Sequence, residues 1–331
     1  MFLTILAFKR PITYVWGMNT WDKRRAEYKD FKTYYYHLSS DGWKEGRLFH
    51  TKKQYAHGMT AMGLATLKSG IIIYDFSLMP NHFHIILKGN GRQCISAFDY
   101  LKKKINARLI NDGYPALPKD YGFKLTPIDS KQQMGINILY VDRNAYEKNI
   151  SVPGGHIWGT ANLHFSALTG HIDGIAAKEL SCRERARITG SRMDIPPTWI
   201  FNQELGLLPS SFVDQSMFLD LFPSPKTYLT RLVKDYESFA KLGNKLEESV
   251  EFSEEEVDDI ANTLAESLYP GRKIRKLTQE EKCHLCPLLN KNYNLSSFQI
   301  ARTLSMPEYI VRQVLNSKDY GVGVGPTKPI H

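Results

Sequence analysis

Along the first 165 residues the apolar pattern changes period several times, and each change marks an element. YYYHLSS (34–40) is aromatic and β-prone, whereas KQYAHGMTAMGLATLK (53–68) has apolar residues at mixed spacings of three and four, a helical pattern. GIIIYDFSLM (70–79) and HFHIILK (82–88) read as two strands of a hairpin turning at Pro80-Asn81, because proline has no N–H for a ladder. RQCISAFDYLKKKINARLIND (92–112) follows as a basic amphipathic helix, FKLTPI (123–128) as a strand, and SKQQMGINILYVDRNAYEKN (130–149) as a helix. The last opens on Ser130 with Gln133 three residues later, the spacing of a capping box.

Beyond about residue 166 the strand pattern is lost. ELSCRERARITGSR, IPPTWIF and LFPSPKTYL read as short helices broken by Pro and Gly, and SVEFSEEEVDDIA (249–261) as the acidic start of a longer one. PGRKIRK (270–276) reads as a basic linker into a last helical module, and GVGVGPTKPIH as a loose tail. In LSSFQIARTLSMPEYIVRQVLN (295–316), Ser296 caps one helix, Ser305-Met306 turns, and Pro307 starts a second, the grammar of a helix-turn-helix. The second helix would expose Tyr309, Arg312 and Gln313, residue types that reach base edges or phosphates. Three regions result: 1–165 with strands and helices, 166–270 helical, and 271–331 a helix-turn-helix-like module with its tail. The expected class is α+β, an antiparallel sheet packed with helices and followed by an all-helical extension.

Charge narrows the partners. The chain has 331 residues and a formal net charge of +9, an excess that favours phosphate-rich partners, nucleic acid first. Lys102, Lys103, Lys104 and Arg108 cluster on the helix after the hairpin and are the expected backbone contacts, with Lys23-Arg24-Arg25 less specific. No apolar run approaches the roughly 20 residues that a bilayer span needs. The apolar start MFLTILA has no basic region before it, so no signal peptide is read, and four cysteines are too few for a disulfide framework. A cytoplasmic protein without a membrane partner is expected. Cys283 and Cys286 have the spacing of half a zinc site, with no second pair nearby.

The candidate chemistry begins with His82 and His84. Two apart on a strand, they share a face while Phe83, Ile85 and Leu87 take the other, so two imidazoles converge and can offer neutral nitrogens to one divalent metal. On the helix from 130, Gln133, Asn137, Tyr140 and Asn144 fall within a stripe about 60° wide beside an apolar face of Met134, Ile138, Val141 and Ala145. Such a helix, packed on the sheet, can aim Tyr140 and Asn144 at the histidines. Tyr146 lies about 240° around the helix from Tyr140 and cannot share that face.

LMPNHFHIIL followed by YVDRN resembles the single-tyrosine HUH transposases, the REP-associated tyrosine transposases and small insertion-sequence transposases in particular. YYHLSSDGWKEGRLF (35–49) and HIWGT (156–160) are similar in order and spacing, so the likeness covers roughly residues 30–165. The resemblance implies that His82, His84 and Asn144 bind Mg²⁺ or Mn²⁺ and that Tyr140 is the nucleophile. It further implies single-stranded DNA, with a hairpin, as substrate for nicking and strand transfer through a 5′-phosphotyrosine, by a monomer or homodimer. Where relatives follow the asparagine with proline, this chain has Ala145. The rival readings are a catalytically silent or domesticated DNA-binding regulator on the same fold, and a metal-dependent nuclease that uses water.

Overall fold

A computed structural model describes residues 20–44, 46–148, 150–164, 172–248 and 250–317; the apolar start and the Gly-rich tail lie outside them. Helix α1 (Thr20–Tyr28) leads into β1 (Tyr34–Ser40), α2 (Lys52–Ser69), the hairpin β2 (Ile72–Leu78) and β3 (Phe83–Gly89), α3 (Gly91–Asn111), β4 (Phe123–Pro127) and α4 (Lys131–Glu147). The strands form one antiparallel sheet in the order β2-β3-β1-β4. In that order β1 runs parallel to β2, and β3 to β4, each pair joined by a helix. Right-handed crossovers therefore put α2 and α3 on the same face. The opposite face is left for something else to cover, and α4 covers it.

Local signals mark the helices. Thr51 accepts the Gln54 N–H to start α2, which ends at Gly70 in the left-handed region with φ 70°. A complete Asn90/Gln93 capping box starts α3. Ser130 caps α4 as expected, but the Gln133 side chain reaches the Asp129 N–H instead of the Ser130 N–H, so the box is only half formed. Gly91 permits the closest approach: a Cβ there would land on the Tyr28 carbonyl, so α1 could not dock on α3.

Each strand divides its residues between two cores. Tyr36, Leu38, Phe76, Phe83, Ile85 and Leu87 meet α2 and α3. Tyr74 and Ile86 meet Ile138, Tyr140 and Val141 of α4. A bulge between Ile73 and Asp75 makes Tyr74 the extra residue of β2, which lets both Tyr74 and Asp75 serve the α4 side. HIWGT runs along the free edge of β2, where the Leu78 N–H bonds the Trp158 carbonyl and the Thr160 N–H bonds the Phe76 carbonyl.

Strands do not vanish after residue 166. The short α5 (Ala161–His164) precedes a small antiparallel sheet of β5 (Ile175–Ala176), β6 (Ile200–Asn202) and β7 (Gly206–Leu207), with α6 (Cys182–Thr189) between the first two. IPPTWIF, expected as a helix, contributes β6, and two- or three-residue strands are too short to carry a period. Then come α7 (Ser216–Leu221), α8 (Pro225–Lys234), α9 (Tyr236–Leu246), α10 (Glu254–Leu268), α11 (Gln279–Tyr293), α12 (Ser297–Leu304) and α13 (Glu308–Asn316). The α4 core continues without a break through Phe218, Leu232 and Phe239 to Val311 and Val314, so the helical extension shares its hydrophobic interior with α4. Between α12 and α13 the chain turns at Ser305, φ 51°. Among the described residues no helix is long and apolar enough to cross a membrane.

Candidate functional site

His84 on β3 stands beside Ser39 of β1 and Ser77 of β2 on the face that α4 covers, and His82 sits in the turn that enters β3. Their rings are 4.8 Å apart and perpendicular. The Tyr140 ring lies 5.9 Å from that of His84, and the Asn144 side chain faces both imidazoles. His82, His84, Tyr140 and Asn144 are thus brought together.

The hydrogen bonds behind the histidines decide which nitrogen each presents. Asn137 donates its Nδ2 to the Gln133 carbonyl, so its Oδ1 must accept from Nδ1–H of His37, at 2.7 Å. Burial, aided by His84, lowers the His37 pKa to about 3, so its ring is neutral and Nε2 carries a lone pair. That lone pair accepts from His84 Nδ1–H at 3.0 Å. His84 is left with an unprotonated Nε2, buried and without a hydrogen-bond partner. At His82, Nδ1–H donates to Asn81 Oδ1 at 2.8 Å and again frees Nε2. Burial also lowers the pKa of both His82 and His84, which keeps them neutral. Asn144 donates Nδ2 to the Tyr140 carbonyl, 2.9 Å, which leaves the lone pairs of its amide oxygen available to a metal. Two unprotonated imidazole nitrogens, one of them orphaned, and one amide oxygen are a donor set that fits a divalent cation with open positions.

A residue that the sequence does not flag completes the group. Glu248, in the chain after α9, accepts a hydrogen bond from the Tyr140 hydroxyl at 2.7 Å and is also bonded by Ser39. Its Oε2 lies 3.7 Å from His84 Nε2. Burial first, and then Glu248, push the Tyr140 pKa well above its ordinary value, so the phenol holds its proton. Tyr140 itself is only 3% exposed, beneath Glu248. His37 and Glu248 escape sequence reasoning because they lie 47 residues from His84 and 108 from Tyr140, respectively, and neither spacing carries a pattern. Asn81 stands inside the motif and Asn137 inside the polar stripe, where position alone was a signal.

The expected DNA contacts lie elsewhere. Lys102, Lys103, Lys104 and Arg108 are on α3, across the sheet from the histidines although close to them in sequence. Lys102 donates to the Lys119 and Tyr121 carbonyls, Lys104 to the Gly190 carbonyl, and Arg108 pairs with Asp112, while Lys103 is exposed. Arg24 and Arg25 make two-pronged bonds to Asp41 and Asp99. Tyr309, Arg312 and Gln313 are exposed on α13, with Arg312 bonded to Glu308. Nearby, Lys273, Arg275, Lys282 and Arg302 line a groove of about 910 Å³, in which Arg302 pairs with Glu254. Tyr146 lies against the Arg143 guanidinium, away from the histidines. Cys283 and Cys286 are buried free thiols, and among the described residues no third metal-binding side chain gathers with them.

A second polar cluster occupies the same face of the sheet and takes Asp142, two residues after Tyr140, from α4. Asp75 of β2, Asp142 of α4 and His164 of α5 are buried together, with ligand atoms all within 4.8 Å of one another. Burial, with the neighbouring Asp142, holds the Asp75 pKa well above the usual carboxylate range. Burial likewise moves Asp142 up to about 7 and His164 down to about 3.

Comparison with protein-family models, with curated proteins and with solved structures finds no match.

Proposed function

We propose that the chain nicks and rejoins single-stranded DNA as a metal-dependent transposase, with Tyr140 as nucleophile. The observation that carries this reading is the juxtaposition at Tyr140: a carboxylate 2.7 Å from its hydroxyl and, beside its ring, two imidazoles whose Nε2 atoms are kept unprotonated. The β-α-β-β-α-β order of the sheet unit, which is ferredoxin-like, and the resemblance of LMPNHFHIIL and YVDRN to HUH transposases agree with it.

His82 Nε2, His84 Nε2 and the Asn144 amide oxygen would hold the ion. Bound there, Mg²⁺ or Mn²⁺ supplies a Lewis acid that polarises a non-bridging phosphate oxygen. The protein's own groups handle the proton and the new bond. Glu248 Oε2 takes the phenolic proton as the Tyr140 oxygen attacks phosphorus, the P–O3′ bond breaks, and the leaving 3′ oxygen takes a proton from solvent water to become a hydroxyl. A 5′-phosphotyrosine remains, and attack on it by a 3′ hydroxyl reverses the step without ATP. The segment that carries Glu248 must shift to admit the strand while Oε2 stays within reach of the Tyr140 hydroxyl. The groove lined by Lys273, Arg275 and Lys282, with Tyr309, Arg312 and Gln313 of a helix-turn-helix-like pair, would hold flanking DNA. A second reading, a catalytically silent DNA-binding regulator, draws on the burial of Tyr140.

Labelled single strands from the flanks of the gene, incubated with Mn²⁺ or EDTA and run on a denaturing gel, test the proposal. A Mn²⁺-dependent protein–DNA adduct that disappears in Tyr140→Phe is expected. An adduct that survives in Tyr140→Phe would place the nucleophile elsewhere. Cleavage without an adduct would mean attack by water, and binding without cleavage would favour the regulator.

A further inference from the structure

Asp75, Asp142 and His164 lie on three different elements, with Asp142 between Tyr140 and Asn144 along α4, and the mechanism above uses none of them. The side chains of all three are fully shielded from solvent. Each carboxylate is divided in the same way. Thr160 donates its hydroxyl to Asp75 Oδ1, and Tyr228 donates its hydroxyl to Asp142 Oδ2 at 2.7 Å, while Asp75 Oδ2 and Asp142 Oδ1 are buried with no hydrogen-bond partner. Both ring nitrogens of His164 are also buried and unpartnered. The ring is fixed nonetheless, stacked on Phe218 at 3.5 Å and nearly parallel.

Four orphaned polar atoms on three adjacent side chains are difficult to reconcile with a finished core, because each such atom costs roughly 1–3 kcal/mol. His164 Nε2 is 3.5 Å from Asp75 Oδ1 and 3.8 Å from Asp142 Oδ2, too far for good hydrogen bonds. Those gaps suit donors around an ion: ligands about 2.0 Å from a tetrahedral metal sit about 3.3 Å from one another. Two carboxylates and a neutral imidazole also balance the charge of a divalent cation. The Thr160 and Tyr228 hydroxyls bond those same two oxygens and are outer partners of the kind that orient metal-binding carboxylates.

We propose that Asp75, Asp142 and His164 bind a structural divalent transition-metal ion of the Zn²⁺ or Mn²⁺ class, separate from the His82/His84 site. The nitrogen and oxygen donor set, with no sulfur, suits those ions. The ion ties the β2 bulge, the catalytic helix and the segment after HIWGT to one point. It is enclosed, so the chain acquires it while folding.

The test uses the full chain, refolded from denaturant with Zn²⁺, Mn²⁺ or Co²⁺, desalted and assayed for bound metal. In a His82→Ala/His84→Ala variant, which lacks the other site, about one equivalent should remain and the melting temperature should rise over the chelator-treated sample. In Asp75→Asn/Asp142→Asn the retained metal and the temperature shift should both be lost. If that variant does not fold, the Co²⁺ spectrum of the histidine variant decides: d–d bands without thiolate charge transfer support the site and exclude Cys283 and Cys286. Retention below about one tenth of an equivalent of all three metals in the histidine variant would overturn the proposal. So would equal retention in a folded Asp75→Asn/Asp142→Asn variant, or a thiolate band in the Co²⁺ spectrum. None of these outcomes depends on DNA cleavage.

Discussion

Replacing Asn137 with leucine tests the relay that aims the histidines. Asn137 touches no substrate or metal, yet its Oδ1 holds the proton on His37 Nδ1, and through His37 it holds the proton on His84 Nδ1. Without the amide, His37 is free to carry its proton on Nε2 and donate it toward His84, which would then carry its own proton on Nε2, the nitrogen proposed to bind the metal. Loss of an outer partner of this kind typically weakens metal binding 10–100-fold, or about 1.4–2.7 kcal/mol. The stability cost is separate: a buried His37 donor without its acceptor costs about 1–3 kcal/mol. Titration calorimetry with Mn²⁺ measures the first and urea unfolding the second. Gln133→Ala is the control, because Gln133 shares the polar stripe but bonds the Asp129 N–H. Nitrogen-15 spectra of the imidazoles report the tautomers directly. An unchanged Mn²⁺ affinity in Asn137→Leu, an equal loss in Gln133→Ala, or a proton on His84 Nε2 in the unaltered protein would refute the relay.

Two further substitutions probe the helix that carries the site. Arg143 is fully buried, bonds Glu256 at 2.7 Å and the Leu232 carbonyl, and lies against Phe239 and Phe252. Arg143→Met should cost about 3–5 kcal/mol in urea unfolding by stranding Glu256, and Arg143→Met/Glu256→Gln should recover much of that loss. A double variant no more stable than the single would show that the pair is not what matters. Burial raises the Glu147 carboxyl from 4.5 to about 7. A raised carboxyl contributes stability below its unfolded value that is lost as pH rises through its folded one. Relative to Glu147→Gln, the unaltered protein should therefore lose up to about 3 kcal/mol between pH 4.5 and pH 8. Parallel stability–pH curves for the two proteins would contradict that sign.

Short-range information in the chain reaches far at this site. The alternation around His84 anticipates its face, because Phe83, Ile85 and Leu87 do enter the opposite core. The 3.6-residue period of α4 gathers Asn137, Tyr140 and Asn144, and the cap at Ser130 marks its start. Contacts set by tertiary packing were not legible. Glu248 reaches Tyr140 only because α9 packs on α4, and His37 reaches His84 only because β1 pairs with β3. The lysines of α3 show the opposite error. Being near the histidines along the chain suggested a shared surface, but the two crossovers place α3 behind the sheet. The short strands at 175–207 had too few residues to display alternation.

The uninterrupted core between α4 and the last helices sets the order of events on the ribosome. Tyr140 is synthesised 108 residues before the glutamate that holds its hydroxyl, and the remaining core partners, out to Val314, come later still. At 5–20 residues per second that first interval alone lasts roughly 5–20 s. During it α4 has its sheet but not the helices that pack on its other side. The emerging chain therefore exposes an apolar helix face that only its own C-terminal third can cover, which makes that interval the point in its life when a chaperone has most to hold.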